Sequence, residues 1–409
     1  MSEYQCRICG SRDHSLILDY GKVALADSFL SSLEEAVGEA RYQLTLVFCQ
    51  SCAHVQIKEI LDPSILFSDY VWETGIPASI RAYCSSFADS VQARAKISAH
   101  ASVVEIASND GTMLREWKRR QHRVLGVDPA RNIAKKASEN GIPTIADFFG
   151  MKVAGEILHS QGAADLIIAR NVLAHVADLH GLADGVRTLL SPDGVAVIEV
   201  PHLLTTFEEL QYDQVFHEHI GYHSLDSIVR LFGRYGLRVV DAEQVWIHGG
   251  SLRAYLAHEA SVRRPASDVA RVLEVEKSSG ILSQAGWETF AARVLKQKRL
   301  LRDELERAKL NGLVTVGYGA SGKGQSLIQF CELDSTLVKY IADKSSMKIG
   351  KWAPGSHIPI VSPETMRSDR VDIVVLFAWN FATEIVEQES AMRSGGARFL
   401  HPLPEPHFL

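Results

Sequence analysis

The sequence has no excess of basic residues: 43 lysines and arginines stand against 49 aspartates and glutamates, a formal net charge of −6. A nucleic-acid-binding face needs a basic patch, so no nucleic-acid partner is expected. No apolar run approaches the roughly 20 residues of a membrane helix. The chain does not open on a charged segment followed by an apolar one, as a secretory leader would. These absences predict a cytoplasmic protein with no membrane partner. Cysteine is scarce too. There are six, and four of them stand as two C-x-x-C pairs, leaving Cys84 and Cys331 alone. In a cytoplasmic chain that pattern speaks for metal binding over disulfides. What is present is a globular composition, 46% hydrophobic and 22% charged over 409 residues. That length allows about two or three domains with well-buried cores.

Cys6-x-x-Cys9 and Cys49-x-x-Cys52 offer four thiolates, the ligand set of a tetrahedral Zn²⁺. Four thiolates fill the coordination sphere, so the zinc is expected to be structural and not catalytic. Further on, Val103 to Ile106 reads as a buried strand, Ala107 to Gly111 as a tight turn, and a helix follows from Thr112. A second strand, Arg123 to Val127, ends at Asp128. An acid at that distance past such a turn binds ribose hydroxyls in nucleoside-binding βαβ units. The turn is not G-x-G-x-x-G, because Ala107 and Asn109 occupy glycine positions. A ligand with ribose but no pyrophosphate suits it, and S-adenosylmethionine (SAM) is such a ligand. Glu105, Ser108, Asn109, Gly111 and Asp128 are the candidate cofactor-binding residues.

Asp147 and Phe148 follow a third strand, Thr144 to Ala146, and could hold an adenine edge and face; packing on the core is the bland alternative. A fourth strand, Asp165 to Ala169, leads into Arg170, Asn171 and His175. Asn171 is placed on the cofactor side and His175 on the substrate side. The fifth strand is Gly194 to Val200. Strands alternating with helical stretches predict an α/β fold with a doubly wound parallel sheet.

Phe216-His217-Glu218-His219-Ile220-Gly221-Tyr222-His223 packs three imidazoles, a carboxylate and a phenol into eight residues, just after the fifth strand. Such a segment is costly to bury unless every group is partnered. Ligands of open α/β sheets collect outside the carboxyl ends of the strands. This stretch is therefore the candidate reaction centre.

Residues 267–311 read as helical, with Leu295, Leu300, Leu301 and Leu305 on an apolar stripe and Gly280 and Gly286 as breaks. Leu313 to Gly324 reads as strand, glycine turn and helix, matching G-x-G-x-x-G and nearly matching a P-loop. Gly324 stands where a P-loop needs Ser or Thr for Mg²⁺, so an NTPase is disfavoured. What remains is a backbone nest at a helix start, fit for a phosphate or diphosphate. Asp343 ends the next strand, where an acid could bind a ribose hydroxyl. Tyr70 and Trp72, beside a turn, are candidates for lining a pocket or for packing between domains. The predicted divisions are a zinc-binding domain over 1–75, a SAM-binding domain over 76–260, a helical connector over 261–311 and a Rossmann-like domain over 312–409.

Across nearly its whole length the chain resembles the nucleotide-sugar C-methyltransferases that act on dTDP-linked 4-keto-deoxysugars in antibiotic and other natural-product pathways. The resemblance rests on the cysteine pairs and on Glu105-x-x-Ser108-Asn109-Asp110-Gly111, Asn171 to Val176, Glu199-Val200-Pro201-His202 and His217-Glu218-His219-x-x-Tyr222-x-Ser224. It continues through His248 to Arg253, Gly317 to Ala320, Lys323-Gly324 and Trp379-Asn380. It implies three domains: a zinc-binding one, a class I SAM-methyltransferase sheet, and a C-terminal one that helps hold the nucleotide sugar. It implies His219 as the catalytic base. It also implies Tyr70, Trp72, His175, Gly319, Lys323, Asp343, Trp379 and Asn380 on the substrate side. Two positions depart from the family: Phe216 stands where Tyr is frequent, and the segment contacting the sugar reads Tyr70 to Gly75.

The chemistry expected is methylation of the carbon beside a ketone, at C-3 of a 4-keto sugar. A neutral imidazole suits removal of the α proton. Glu218 would orient an imidazole or bind a sugar hydroxyl, and Tyr222 would donate to the enolate oxygen. His217 and His223 are expected to be structural. Competing readings are another ketone-bearing acceptor, an NAD-dependent sugar-nucleotide oxidoreductase using the glycine turn, and a non-enzymatic zinc module. A monomer is expected.

Overall fold

The computed structural model describes residues 4–62 and 78–409; Tyr70 and Trp72 lie outside the described residues. Three sheets organise the chain. The first joins β1 (His14–Ala24), β2 (Arg41–Cys49), β3 (Val55–Ile57) and β9 (Gly221–Tyr222), all antiparallel. Its fourth strand comes from the polar stretch, far along the chain. Two paired residues carry no readable periodicity, so this junction is invisible in the sequence.

The second sheet runs β10-β11-β8-β7-β4-β5-β6. Its parallel part is β4 (Ser102–Ile106), β5 (Arg123–Val127), β6 (Thr144–Ile145), β7 (Ala164–Arg170) and β8 (Leu190–Pro201). The antiparallel pair β10 (Leu237–Val245) and β11 (Ser251–His258) closes one edge. β4 is buried throughout and β7 nearly so, as expected of strands covered on both faces. The order reverses between β4 and β7, the switch point where open α/β sheets bind ligands. The turn after β4 and Asn171 after β7 both lie there.

The third sheet runs β14-β13-β12-β15-β16-β17. β12 (Thr315–Tyr318), β13 (Ile341–Ala342), β14 (Ile360–Val361), β15 (Ile373–Leu376) and β16 (Arg398–His401) are parallel, and β17 (His407–Phe408) is antiparallel.

The connector is two helices, Ser267–Ser279 and Gln284–Leu310, separated at Gly280 (φ +99°). Gly286 lies inside the second helix, where a side chain would collide with the Gly280 carbonyl. The expected leucine stripe is half right. Leu301 and Leu305 are buried, but Leu295 and Leu300 are 49% and 39% exposed. The buried face is Trp287, Phe290, Val294, Gln297, Leu301, Leu305 and Ala308, one side of a helix at three- and four-residue spacing. Burying each large apolar side chain there contributes roughly 1.5–3 kcal/mol. Glu276 of the first connector helix is buried against His202 (2.8 Å) and accepts from the amides of Leu225 (2.6 Å) and Asp226 (3.0 Å). It thereby caps the helix Leu225–Gly233, whose Ser224 forms a capping box with Ser227. The far end of the polar stretch is held from both sides.

Candidate functional site

The four cysteine sulfurs converge within 4.8 Å of one another. Cys6 lies 3.5 Å from Cys52, and Cys9 3.5 Å from Cys49. A tetrahedron with Zn–S bonds of about 2.3 Å puts its sulfurs roughly 3.8 Å apart, so the donor set fits zinc. Each knuckle closes the same way. Gly10 donates to the Cys6 carbonyl (2.8 Å) and Ala53 to the Cys49 carbonyl (2.9 Å), both with positive φ. The cluster is a structural zinc site that clips the N-terminal loop to the β2–β3 turn.

At the switch point, the turn after β4 alternates left-handed residues: Ala107 (φ +55°), Asn109 (φ +51°) and Gly111 (φ +75°). The two non-glycines adopt the backbone that glycine usually supplies. Asp128 closes this turn. Its Oδ2 accepts from the Asn109 amide (2.8 Å) and its Oδ1 from the Ala130 amide (2.9 Å), leaving lone pairs for a ribose hydroxyl. Three buried oxygens here have no hydrogen-bond partner among the described residues: Glu105 Oε2, Ser108 Oγ and Asn171 Oδ1. Buried polar atoms are rarely left unpaired, so this end is built for a polar ligand. SAM, which brings an ammonium and ribose hydroxyls, fits. Asp147 accepts from the Phe148 amide (2.8 Å), and the Phe148 ring is 64% exposed beyond β6.

Beneath lies a charged floor that the sequence did not reveal. Glu199 accepts from Tyr83 Oη (2.6 Å) and Arg253 Nε (2.9 Å), with Arg170 Nε at 3.4 Å. Arg253 also reaches Glu243 (2.6 Å). Arg170, at the end of β7, stacks on Tyr83 and Phe87 with its side chain 7% exposed.

The polar stretch crosses the junction of all three sheets. His219 Nδ1 sits 3.0 Å from the Gln214 carbonyl. A carbonyl only accepts, so Nδ1 carries the proton and Nε2 keeps its lone pair. The ring lies 4.1 Å from Phe216 and edge-on 4.9 Å from His175. Burial holds its pKa well below the ordinary value, helped by His175, Lys323 and His248. His219 is therefore neutral at working pH, as a base must be.

Glu218 is pushed up to about 8 by burial and by Asp27, to which its carboxyl is hydrogen-bonded. Asp27 is raised by burial against the pull of Lys348. Asp27 stands in the link after β1 with no motif around it, and nothing in the sequence singled it out. Tyr222 departs from its expected role. Its hydroxyl donates to the carbonyls of His219 (2.9 Å) and Gln214 (3.4 Å), and the residue is 7% exposed. It holds the loop in shape and cannot also serve an enolate. His217 is buried with Nε2 near the Gln43 carbonyl (3.1 Å), and His223 is buried 5.2 Å from the ring of His54.

In the glycine turn, Gly319 (φ +94°) is there because a side chain would collide with Ala378 of the neighbouring strand end. Asp343 accepts from the amides of Ala320 (2.7 Å) and Ser345 (2.8 Å), closing this turn as Asp128 closes the one after β4. The helix Gly322–Phe330 is capped by Ser321, and a Cβ added at Gly322 would lie 3.5 Å from the Phe216 ring and 3.7 Å from Asp27 Oδ2. The helix start therefore abuts the polar stretch. Lys323 donates to the His248 carbonyl (3.0 Å). Trp379 Nε1 donates to buried Asp213 (2.6 Å), and Asn380 is half-buried on the same turn.

Asp27, His175, Glu218, His219, His248 and Lys323 share one signature. Burial is the leading cause of every shift, yet each keeps accessible surface. A concavity lined by Asp19, Lys22, Arg41, Lys298 and Gln329 contains none of them.

Glu105 and Glu218 both hold their protons to about pH 8, whereas in an unfolded chain they release them near 4.5. In that window the folded state binds more protons, so stability falls as pH rises. Above about pH 7, where the buried histidines are neutral in both states, the melting temperature should fall between about pH 7 and about pH 8.5, and Glu218→Gln should shrink the difference. An unchanged difference in that variant would contradict the protonated state assigned to Glu218.

Family models match three consecutive parts of the chain: a zinc binding domain over 6–67, a methyltransferase domain over 80–242 and a C-methyltransferase C-terminal domain over 246–404. The C-methyltransferase NovU of Streptomyces niveus is 35% identical over 405 residues, covering 99% of this chain and 96% of that protein. Among solved structures, a SAM-dependent methyltransferase from Clostridium acetobutylicum matches 48% of this chain and 95% of its own at 12% identity and TM-score 0.36. The magnesium protoporphyrin IX methyltransferase of Synechocystis with bound SAH matches 48% and 100%, also at 12% and 0.36.

Proposed function

The chain belongs to the SAM-dependent C-methyltransferases, and we propose that its acceptor is a nucleotide-linked 4-keto-deoxysugar, methylated at C-3, the carbon beside the ketone. Membership of this family displaces the oxidoreductase and binding-module readings. The observation that carries the proposal is the state of His219: its Nδ1 proton is held by the Gln214 carbonyl, which leaves the Nε2 lone pair free on a residue that keeps accessible surface. A C-methyltransferase needs a carbon nucleophile, and removing a proton beside a ketone makes one.

SAM supplies an electrophilic methyl on a sulfonium, and Glu105, Ser108, Asn109, Gly111, Asp128 and Asn171 would hold it, with Asp147 and Phe148 at the adenine. His219 Nε2 accepts the α proton. The hydrogen-bonded pair of Asp27 and Glu218 offers donors and acceptors to a sugar hydroxyl. Phe216 packs on the His219 ring at 4.1 Å. His175 packs edge-on against His219. The zinc, fully ligated, fixes the N-terminal sheet and with it the end of the catalytic stretch.

The test is incubation with SAM and a panel of ketone-bearing nucleotide sugars, followed by mass spectrometry. A gain of one methylene on a 4-keto sugar is expected. Transfer only to a ketone without a nucleotide would sink the acceptor assignment.

A further inference from the structure

Lys323 belongs by position to the glycine turn, yet its ammonium leaves that turn for the link between β10 and β11. Nζ donates to the His248 carbonyl (3.0 Å) and lies 5.2 Å from the centre of the Trp379 ring. Three elements fix it there. Trp379 Nε1 donates to Asp213 Oδ2 (2.6 Å), which orients the ring and the acid together. Asp213 is fully buried, its Oδ1 has no hydrogen-bond partner among the described residues, and its charge attracts Lys323. Gly249 (φ +88°) lets the indole approach, since a Cβ would lie 2.7 Å from it. Trp379 thus requires glycine at 249, and Thr205, 2.6 Å from where a Cβ would stand, requires it at Gly250.

The charged and titratable groups around His219 are His175 and His248, Lys323 from the third sheet's first helix, and the pair of Glu218 and Asp27. Lys323 is among the causes that oppose protonation of His219. A cation placed against the proton acceptor is counterproductive for a resting base. It becomes useful once the reaction makes an anion between them. Tyr222, the residue expected to receive that anion, has its hydroxyl on backbone carbonyls.

The geometry points to Lys323 as the cation that stabilises the enolate oxygen, with Asp213 and Trp379 as the positioning residues that hold it. This rests on the enolising reaction proposed above. In that step His219 Nε2 takes the proton from the carbon beside the ketone. The C–H electron pair becomes the C=C bond, and the carbonyl π pair moves to oxygen, where the Lys323 ammonium neutralises it. A preorganised charge aimed at a developing oxyanion needs no rearrangement as the reaction proceeds.

The test uses Lys323→Gln, which keeps a donor for the His248 carbonyl and removes the charge. Two readouts are needed. The first is hydrogen exchange at the α carbon of an accepted keto substrate in deuterated water with S-adenosylhomocysteine bound, alongside kcat and KM. Removing one oxyanion-stabilising donor typically lowers kcat by about 10²–10³-fold. That loss is expected in exchange and in kcat, with KM and melting temperature little changed and Lys323→Arg partly restored. The second is the NMR titration of the His219 ring on the protein alone, whose midpoint should rise in Lys323→Gln. An unmoved midpoint overturns the proposal whatever the substrate proves to be. A raised midpoint with exchange at the wild-type rate overturns the oxyanion role and leaves Lys323 a tether between domains. Failure of the sugar panel with a raised midpoint would refute the acceptor and spare the placement of Lys323.

Discussion

His219→Asn should lower kcat by about 10²–10⁴-fold, the range expected for loss of a positioned general base. The asparagine side chain can still donate to the Gln214 carbonyl that holds the His219 ring, so the loop keeps its anchor. The substitution removes Nε2 and little else. Exchange of the α proton into solvent should vanish with turnover. SAM affinity, measured by calorimetry, should stay unchanged, because the cofactor residues proposed lie at the ends of β4, β5, β6 and β7. Normal exchange in this variant would remove His219 from the role of base. The wild-type profile adds a second handle. An ordinary histidine would lose kcat/KM as pH falls through 6.5; this one, held well below that value, should keep it.

Removal of the zinc should abolish activity even though the metal has no open position for a substrate. The reason is topological. β9 (Gly221–Tyr222) is a strand of the sheet whose β2–β3 turn carries Cys52, and it begins two residues after His219. Zinc-finger peptides fold with apparent zinc-binding free energies of about 10–16 kcal/mol, and without metal such modules unfold. Cys49→Ser should therefore lose about one zinc per chain and lower the melting temperature. It should also take turnover with it, by letting β9 leave the sheet. Chelation of the wild-type protein should do the same, with recovery on adding Zn²⁺. Metal-free protein that kept both its melting temperature and its turnover would refute the link between cluster and catalytic loop.

Much of this was legible because the signals were local. The four cysteines announce their ligand set by spacing alone. β4, β5, β7 and β8 announce themselves as buried apolar runs, and a helix does begin at Thr112, behind the left-handed turn. The polar density of 216–223 marked it as the candidate reaction centre, because such groups are costly to bury unpartnered.

What was illegible is what the fold assembles from a distance. Asp27 reaches Glu218 from the other end of the chain and belongs to no motif. Glu199, Tyr83 and Arg253 form a single buried knot from three separate elements. Asp343, like Asp128, closes its turn through two backbone amides, and in sequence that use looks identical to binding a ribose. Tyr222 was misread because a phenol in a catalytic stretch can face inward, and only the acceptor of its proton distinguishes the cases.

The account's central claim is that this protein forms a carbon–carbon bond beside a ketone. The direct measurement is NMR of the product made from ¹³C-methyl-labelled SAM and a nucleotide-linked 4-keto-deoxysugar. The account predicts a labelled methyl coupled to the sugar carbon adjacent to the carbonyl. A labelled methyl on oxygen or nitrogen, or on a carbon remote from the ketone, would contradict it.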